Sequence, residues 1–139
     1  MGYDLYGVNP KNEKGEYFRN NCWYWRRLWQ FVEIQCENIL TNHEKEAGQW
    51  NNGWKIPKPQ ALRIAKKLKE CLKNGKAEEF QTEVNKAIKK AKTHNKKLKN
   101  LAPLKKINKE DWNEHYPFTI TNLKEFITFI ENSGGFIIG

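Results

Sequence analysis

The sequence predicts a mainly α-helical, compact single domain over residues 1 to 139, with about four helices and a small two-stranded β element pairing the N- and C-terminal segments. Three observations predict it. Apolar residues recur at three- and four-residue spacing through four separate stretches. Helix punctuation brackets them: Pro59, then Asn74-Gly75, then Asn132-Ser133-Gly134-Gly135. Two short apolar segments stand at the two ends of the chain.

Residues 3 to 8 alternate, with Tyr3, Leu5 and Gly7 on one side and Asp4, Tyr6 and Val8 on the other, as a strand does. Residues 9 to 15, rich in Asn, Pro, Lys and Gly, read as a loop. The first helix is expected from about Asn21 to Leu40, burying Cys22, Trp25, Trp29, Val32, Cys36 and Ile39 on one face. Residues 41 to 59 read as a loop around the turn signal Asn52-Gly53, flanked by Trp50 and Trp54.

A second helix should begin near Pro59 and stop at Asn74-Gly75, burying Leu62, Ala65, Leu68 and Leu72. A third should cover about 77 to 99, burying Phe80, Val84, Ala87, Ile88 and Ala91. Residues 100 to 115 read as irregular. The last helix begins near Thr121 and buries Leu123, Phe126, Ile127 and Ile130. Beyond its stop, Phe136-Ile137-Ile138 reads as a strand able to pair with residues 3 to 8.

Length and composition bound the function classes. A chain of 139 residues is one domain, long enough for a single core. Cys22, Cys36 and Cys71 are odd in number and lack metal spacing, which points to reduced thiols. The start carries no basic and apolar leader, and no apolar run approaches the ~20 residues a membrane span needs. A cytoplasmic protein with no membrane partner is expected.

The net charge of +9 is unevenly placed. Residues 63 to 109 contain 16 Lys/Arg and 4 Asp/Glu, and residues 86 to 109 hold ten lysines and no acid. Such a stretch is a solvated helix face or an electrostatic lure for phosphate; alone it defines no site, because Lys is a hydrated point charge.

The densest chemistry lies in residues 19 to 29, which hold three of the six tryptophans and three of the four arginines. Trp and Tyr give rigid stacking faces, and Arg gives a planar cation that forks onto oxyanions. Trp25 and Trp29 belong to the apolar stripe. Trp23, Arg26, Arg27 and Gln30 fall off it and are the candidates for a ligand-facing surface. Trp50, Asn51, Asn52 and Trp54 either cover the end of the first helix or wall a pocket. Ser133 and Gly134 either stop the last helix or present amides to an oxyanion.

Taken together, the opening residues 1 to 10, the stretch Gly15-Glu16-Tyr17-Phe18-Arg19-Asn20-Asn21 with Trp23, Trp25-Arg26 and Leu28-Trp29, then Asn51 to Gly53, Tyr116-Pro117-Phe118 and Asn132 to Phe136 resemble an uncharacterised family of small phage and prophage proteins. The resemblance runs from end to end. It implies a setting, the cytoplasm of an infected bacterium, and no established activity. Many members of that family carry a CxxC cluster like a zinc knuckle before the Tyr-Pro-Phe motif; this chain has no cysteine there, so metal binding does not transfer. The family's Trp-Arg-Pro-Leu-Trp is Trp25-Arg26-Arg27-Leu28-Trp29 here, and its His-Tyr pair is Gln49-Trp50.

Catalysis is not expected. His43, His94 and His115 have neither metal spacing nor a neighbouring nucleophile signature, and no P-loop, dinucleotide fingerprint or nucleophile elbow is present. Neither a cofactor nor a metal is implied. Three binding functions fit. The first and favoured is a non-catalytic phage counter-defence protein, a sponge for a small anionic nucleotide. In it Arg19, Arg26 or Arg27 pairs with phosphate, Trp23, Trp50 or Trp54 stacks on the base, and Asn20, Asn51 or Asn52 reads its edge. The second is a single-stranded nucleic-acid binder using the lysines as a backbone track. The third is an inhibitor of a host nuclease or CRISPR complex, with the aromatic and Arg cluster as hot spots. Those aromatics would also suit the subunit contacts of a homo-oligomer.

Overall fold

A computed structural model describes residues 2 to 100 and 110 to 139. Among the described residues, five helices surround one face of a four-stranded sheet. In chain order the elements are β1 (Gly2–Gly7), β2 (Tyr17–Asn21), α1 (Cys22–Gln35), α2 (Asn42–Trp50), β3 (Lys55–Pro57), α3 (Lys58–Lys73), α4 (Lys76–Lys99), α5 (Ile120–Asn132) and β4 (Gly135–Ile138). Short 3-10 turns lie at Glu13–Gly15 and Trp112–His115. None of the described helices is long and apolar enough to cross a membrane.

The expected pairing of the chain ends is present and is the centre of a larger sheet. β1 and β4 run antiparallel with Leu5 opposite Ile138 and Gly7 opposite Phe136. β2 then adds to β1 with Leu5 opposite Phe18, and β3 adds to β4 with Ile56 opposite Phe136, giving the order β2-β1-β4-β3. Four strands therefore replace the expected two. The alternation of β2, exposed at Tyr17, Arg19 and Asn21 and buried at Phe18 and Asn20, is that of a sheet with one covered face.

The inner face presents Leu5, Phe18, Ile56, Phe136 and Ile138 to the helices, all buried. Phe18 stacks on Phe129 at 5.8 Å between centroids, and Phe126 meets Phe136 edge-on at 6.2 Å, so α5 lies across the sheet. A second aromatic cluster, Phe31, Phe80 and Phe118, ties α1 to α4 and to the segment before α5. Phe31 and Phe118 are buried and Phe80 half-buried; each fully buried side chain of this kind contributes roughly 1.5–3 kcal/mol of transfer free energy.

Among the described residues, five helices stand where about four were expected. The additional one, α2, lies in the stretch read as a loop, and a capping box starts it. Thr41 Oγ1 accepts from the Glu44 amide at 3.2 Å, while the Glu44 carboxylate accepts from the Thr41 amide at 2.9 Å. Its sequence is polar and short, so no apolar period announces it.

Helix α1 ends at Gln35 instead of about Leu40, because residues 36 to 40 turn away, although Cys36 and Leu40 remain buried. In α3 the buried row is Ala61, Ile64, Ala65, Leu68 and Cys71, and Leu62 is 40% exposed, contrary to expectation. The apolar stripe there is shifted by one position. Of the irregular stretch 100 to 115, residues 101 to 109 lie outside the described residues, as does the end of the lysine run at 105 to 109.

Candidate functional site

A cleft of about 690 Å³ opens between α1, the last turn of α2 and the Trp112–His115 turn. Its floor is aromatic. Tyr3 stacks on Trp25 at 5.4 Å and 20°, and Trp25 stacks on Trp29 at 5.4 Å and 14°. Their polar tips all turn toward α2: Trp25 Nε1 donates to the Gly48 carbonyl at 2.7 Å, Trp29 Nε1 to the Lys45 carbonyl at 3.0 Å, and the Tyr3 hydroxyl to the Gln49 carbonyl at 2.8 Å. The last four carbonyls of a helix have no partner within it, so Trp25 and Tyr3 satisfy two of them, Gly48 and Gln49, while Trp29 adds a bond to Lys45 one turn earlier; together they fix α2 above the floor.

Gly48 makes that approach feasible. A Cβ there would stand 1.9 Å from the Trp29 ring, so only glycine lets α2 lie against the indole. Asn51 then ends α2 in the left-handed region at φ 54°, a conformation Asn tolerates better than most residues.

The walls carry two tryptophans from different elements: Trp50, 73% exposed, and Trp112, 57% exposed. A single exposed indole is ordinary, but two that line one cleft over an aromatic floor are an apolar grouping of the kind found where ligands or partners bind. Between them lie Arg26, Arg27, Gln30, Glu33 and Asn113.

The two arginines do different jobs. Arg27 is committed to the protein: its Nε donates to the Tyr116 carbonyl at 3.1 Å, Nη1 to Gln30 at 2.9 Å and Nη2 to Asn113 at 2.6 Å. Burial, with the neighbouring Arg26 charge adding to it, lowers the Arg27 pKa from its usual value without threatening its charge. Arg26 is exposed, and its guanidinium sits 4.9 Å from the Tyr116 ring centroid, a cation–π contact that orients it and leaves its donors available. The Glu33 carboxylate receives Gln49 Nε2 at 3.2 Å, and the Asp111 carboxylate accepts from the Asn113 amide at 3.0 Å.

Helix α4 holds the Trp112–His115 turn. Buried Asn95 accepts from the Asp111 amide at 2.8 Å and donates to the Asp111 carbonyl at 2.9 Å and to Glu114 at 2.7 Å. One side chain thus pins the outer wall.

Of the residues singled out in the sequence, Arg26, Arg27 and Trp50 meet in this cleft, together with Gln30. The others do not line it. Trp23 packs on Tyr116 at 5.1 Å and on His115 at 5.5 Å. Trp54 stacks on His43 at 5.1 Å, and Asn52 caps the Trp54 amide at 3.1 Å. Arg19 forms an ion pair with Asp4 at 3.0 Å on the outer face of the sheet. Asn20 exchanges two 2.9 Å amide hydrogen bonds with Asn122 beside a shallower depression of about 330 Å³, which Arg19 also lines. Ser133 is buried with its hydroxyl on the Ile130 carbonyl at 3.0 Å, and Gly134 turns at φ 67° against the Asn9 carbonyl, so both close the α5–β4 turn.

Sequence reasoning missed Tyr3, Gln49, Trp112 and Tyr116 as cleft residues. Trp112 stands alone among polar neighbours with no period to flag it, and Tyr3 reads as an ordinary strand residue. Near this turn Glu110, Glu114 and His115 bring potential ligand atoms within 4.8 Å of one another; this surface grouping is of a kind common without an ion, and Glu114 is already engaged by Asn95.

Compared with protein-family models, with curated proteins and with solved structures, the chain matches none.

Proposed function

We propose that the cleft captures a small, planar, singly or doubly anionic ligand, best fitted by a nucleotide, and that the protein acts by sequestering it. The observation that carries this reading is the convergence of Trp50, Trp112 and Arg26 on one cleft over a stacked aromatic floor. The indoles offer faces to a base, and Arg26 offers a fork to a phosphate. The volume of about 690 Å³ suits a mononucleotide or a compact cyclic dinucleotide.

Charge supports a ligand with few phosphates. Arg27 is spent on the Trp112 wall, and Glu33 and Asp111 oppose the remaining cation, so a polyphosphate would meet repulsion. The described lining includes no histidine, serine or lysine; its carboxylates, Glu33 and Asp111, accept hydrogen bonds from Gln49 and Asn113, an arrangement that supports capture. The resemblance to small phage proteins contributes a setting, an infected bacterium, and no activity; in that setting capture would remove a host signalling nucleotide.

A thermal-shift screen tests this against cyclic dinucleotides, cyclic trinucleotides, ADP-ribose and a short single-stranded oligonucleotide. One small nucleotide should raise the melting temperature by several degrees and quench tryptophan fluorescence. If the panel leaves both signals unchanged, or only the oligonucleotide moves them, sequestration is wrong.

A further inference from the structure

Beyond the cleft, the second half of α4 carries an unusual charge arrangement. Its acids, Glu78, Glu79 and Glu83, all lie near the N-terminus. From residue 84 to residue 100 there are seven lysines and no acid, all seven exposed. Lysines in the last turn complement the helix dipole, which accounts for Lys96, Lys97 and Lys99. It does not account for Lys86, Lys89, Lys90 and Lys92, whose three- and four-residue spacings place like charges beside one another and cost helix stability.

At 100° per residue these side chains form two adjacent rows, Lys89, Lys92, Lys96 and Lys99 beside Lys86, Lys90 and Lys97, over about 20 Å of helix. The opposite face buries Val84, Ala91, Asn95 and Leu98, partly against the Trp112–His115 turn. Among the described residues none of the seven is in an ion pair. The helix is therefore fixed to the body by one face and presents a single-sign ridge with the other.

We propose that this ridge binds the phosphate backbone of duplex nucleic acid without reading its sequence. The chemistry of the ridge selects that partner. The other exposed residues between 85 and 100 are Asn, Thr and His. No Phe, Tyr or Trp is there to stack the bases of a single strand. No apolar side chain is there to enter a lipid interface. No Arg or aromatic anchor is there to form the core of a protein interface, from which Lys is depleted. Rows of hydrated point charges instead release counterions from a regular phosphate array, giving affinity with little specificity.

The test is fluorescence anisotropy of the full chain with a labelled 20-base-pair duplex of arbitrary sequence, the matching single strand, and vesicles containing anionic phosphatidylglycerol, from about 50 to 200 mM salt. The duplex should bind most tightly, with a log–log salt slope of about −4 to −6, corresponding to about four to seven neutralised phosphates. The variant Lys89→Gln, Lys92→Gln, Lys96→Gln, Lys99→Gln should bind at least about tenfold more weakly with a shallower slope, while Lys11→Gln, Lys14→Gln, Lys55→Gln, Lys124→Gln, which removes the same charge from other exposed positions, should stay within about threefold. Glutamine keeps the helix, so circular dichroism should be unchanged. Equal losses in the two variants, a slope shallower than −2, or tighter binding of single strand or vesicles would overturn the proposal. Binding of a small nucleotide in the cleft is read separately by tryptophan fluorescence and bears on neither result.

Discussion

The indole N–H of Trp25 donates to the Gly48 carbonyl at 2.7 Å, joining a buried residue of α1 to the last turn of α2 across 23 positions of sequence. That bond, with those from Trp29 and Tyr3, makes the aromatic floor and the Trp50 wall one unit. The floor is a structural core and the base of the cleft together, so its residues are poor choices for testing binding. The walls and Arg26 are the better ones.

Gly48→Ala isolates the close approach. Alanine gains up to about 1 kcal/mol of helix propensity. The added Cβ lands 1.9 Å from the Trp29 ring, which is buried and stacked on Trp25, so ring or helix must shift. Overpacking should win, giving a net destabilisation of about 1–3 kcal/mol in urea unfolding. A variant as stable as the parent would show that α2 is not seated on the indole.

Arg26→Ala and Arg27→Ala should separate cleanly. The first removes an exposed side chain and its contact with the Tyr116 ring and should change unfolding free energy by at most about 1 kcal/mol, yet weaken nucleotide binding tenfold or more by titration calorimetry. The second strands the Tyr116 carbonyl and the Asn113 and Gln30 side chains, and should cost on the order of 1–3 kcal/mol of stability. Reversal of the two phenotypes would reassign which arginine meets the ligand.

Asn95→Ala should loosen the outer wall. It removes three hydrogen bonds to Asp111 and Glu114 from a buried position, at a cost of about 2–4 kcal/mol. Amide hydrogen exchange should rise in the Trp112–His115 turn before it rises in β1 or β4. Uniform acceleration along the chain would mean that the turn is not held locally.

The buried thiols make a pH prediction. Burial, reinforced by the neighbouring Cys71, pushes the Cys36 thiol up to about 12 from 9.0, and burial raises Cys71 as well. Between these values the unfolded chain has lost the proton that the folded chain keeps. Stability from this group is therefore complete below about pH 9 and falls as pH rises toward 12, by up to about 1.4 kcal/mol per pH unit. Cys36→Ala should flatten the decline measured between pH 8 and 10.5. At pH 8 a thiol reagent should modify half-buried Cys22 far faster than Cys36 or Cys71.

Much of the helical framework was legible because its signals are local and repeated. The apolar rows of α1, α4 and α5, the proline near the start of α3 and the Asn-Gly stop after it lie within a few turns of one another. Helix α2 carries a local signal too, Thr41 with Glu44, but too few apolar residues for a period to form. The strands β2 and β3 were not legible. Three to five residues with an Arg-Asn-Asn or Lys-Ile-Pro sequence become strands only because β1 and β4 already offer edges to pair with. The candidate site was half legible: the off-stripe arginines of α1 and Trp50 could be named, whereas Trp112 could not.

By itself, then, the sequence determined four of the five described helices, the buried faces of α1 and α5, the strand character of the two chain ends, the separation of Trp25 and Trp29 from Arg26 and Arg27 around α1, and the concentration of positive charge toward the end of α4. The helices, their faces and the charge follow from periodicity or composition within a short window, where neighbours along the chain are neighbours in space; the two terminal strands were legible as strands, and their pairing across more than 120 residues was an expectation that the fold met. Only the tertiary structure decided which of two adjacent arginines is committed and which is available, since that depends on Tyr116 and Asn113, more than eighty residues away. It alone brought Trp50 and Trp112 to one cleft and sent Trp23, Trp54 and Ser133 elsewhere. Side-chain partners across such separations are selected by packing of the whole chain, and no local pattern encodes them.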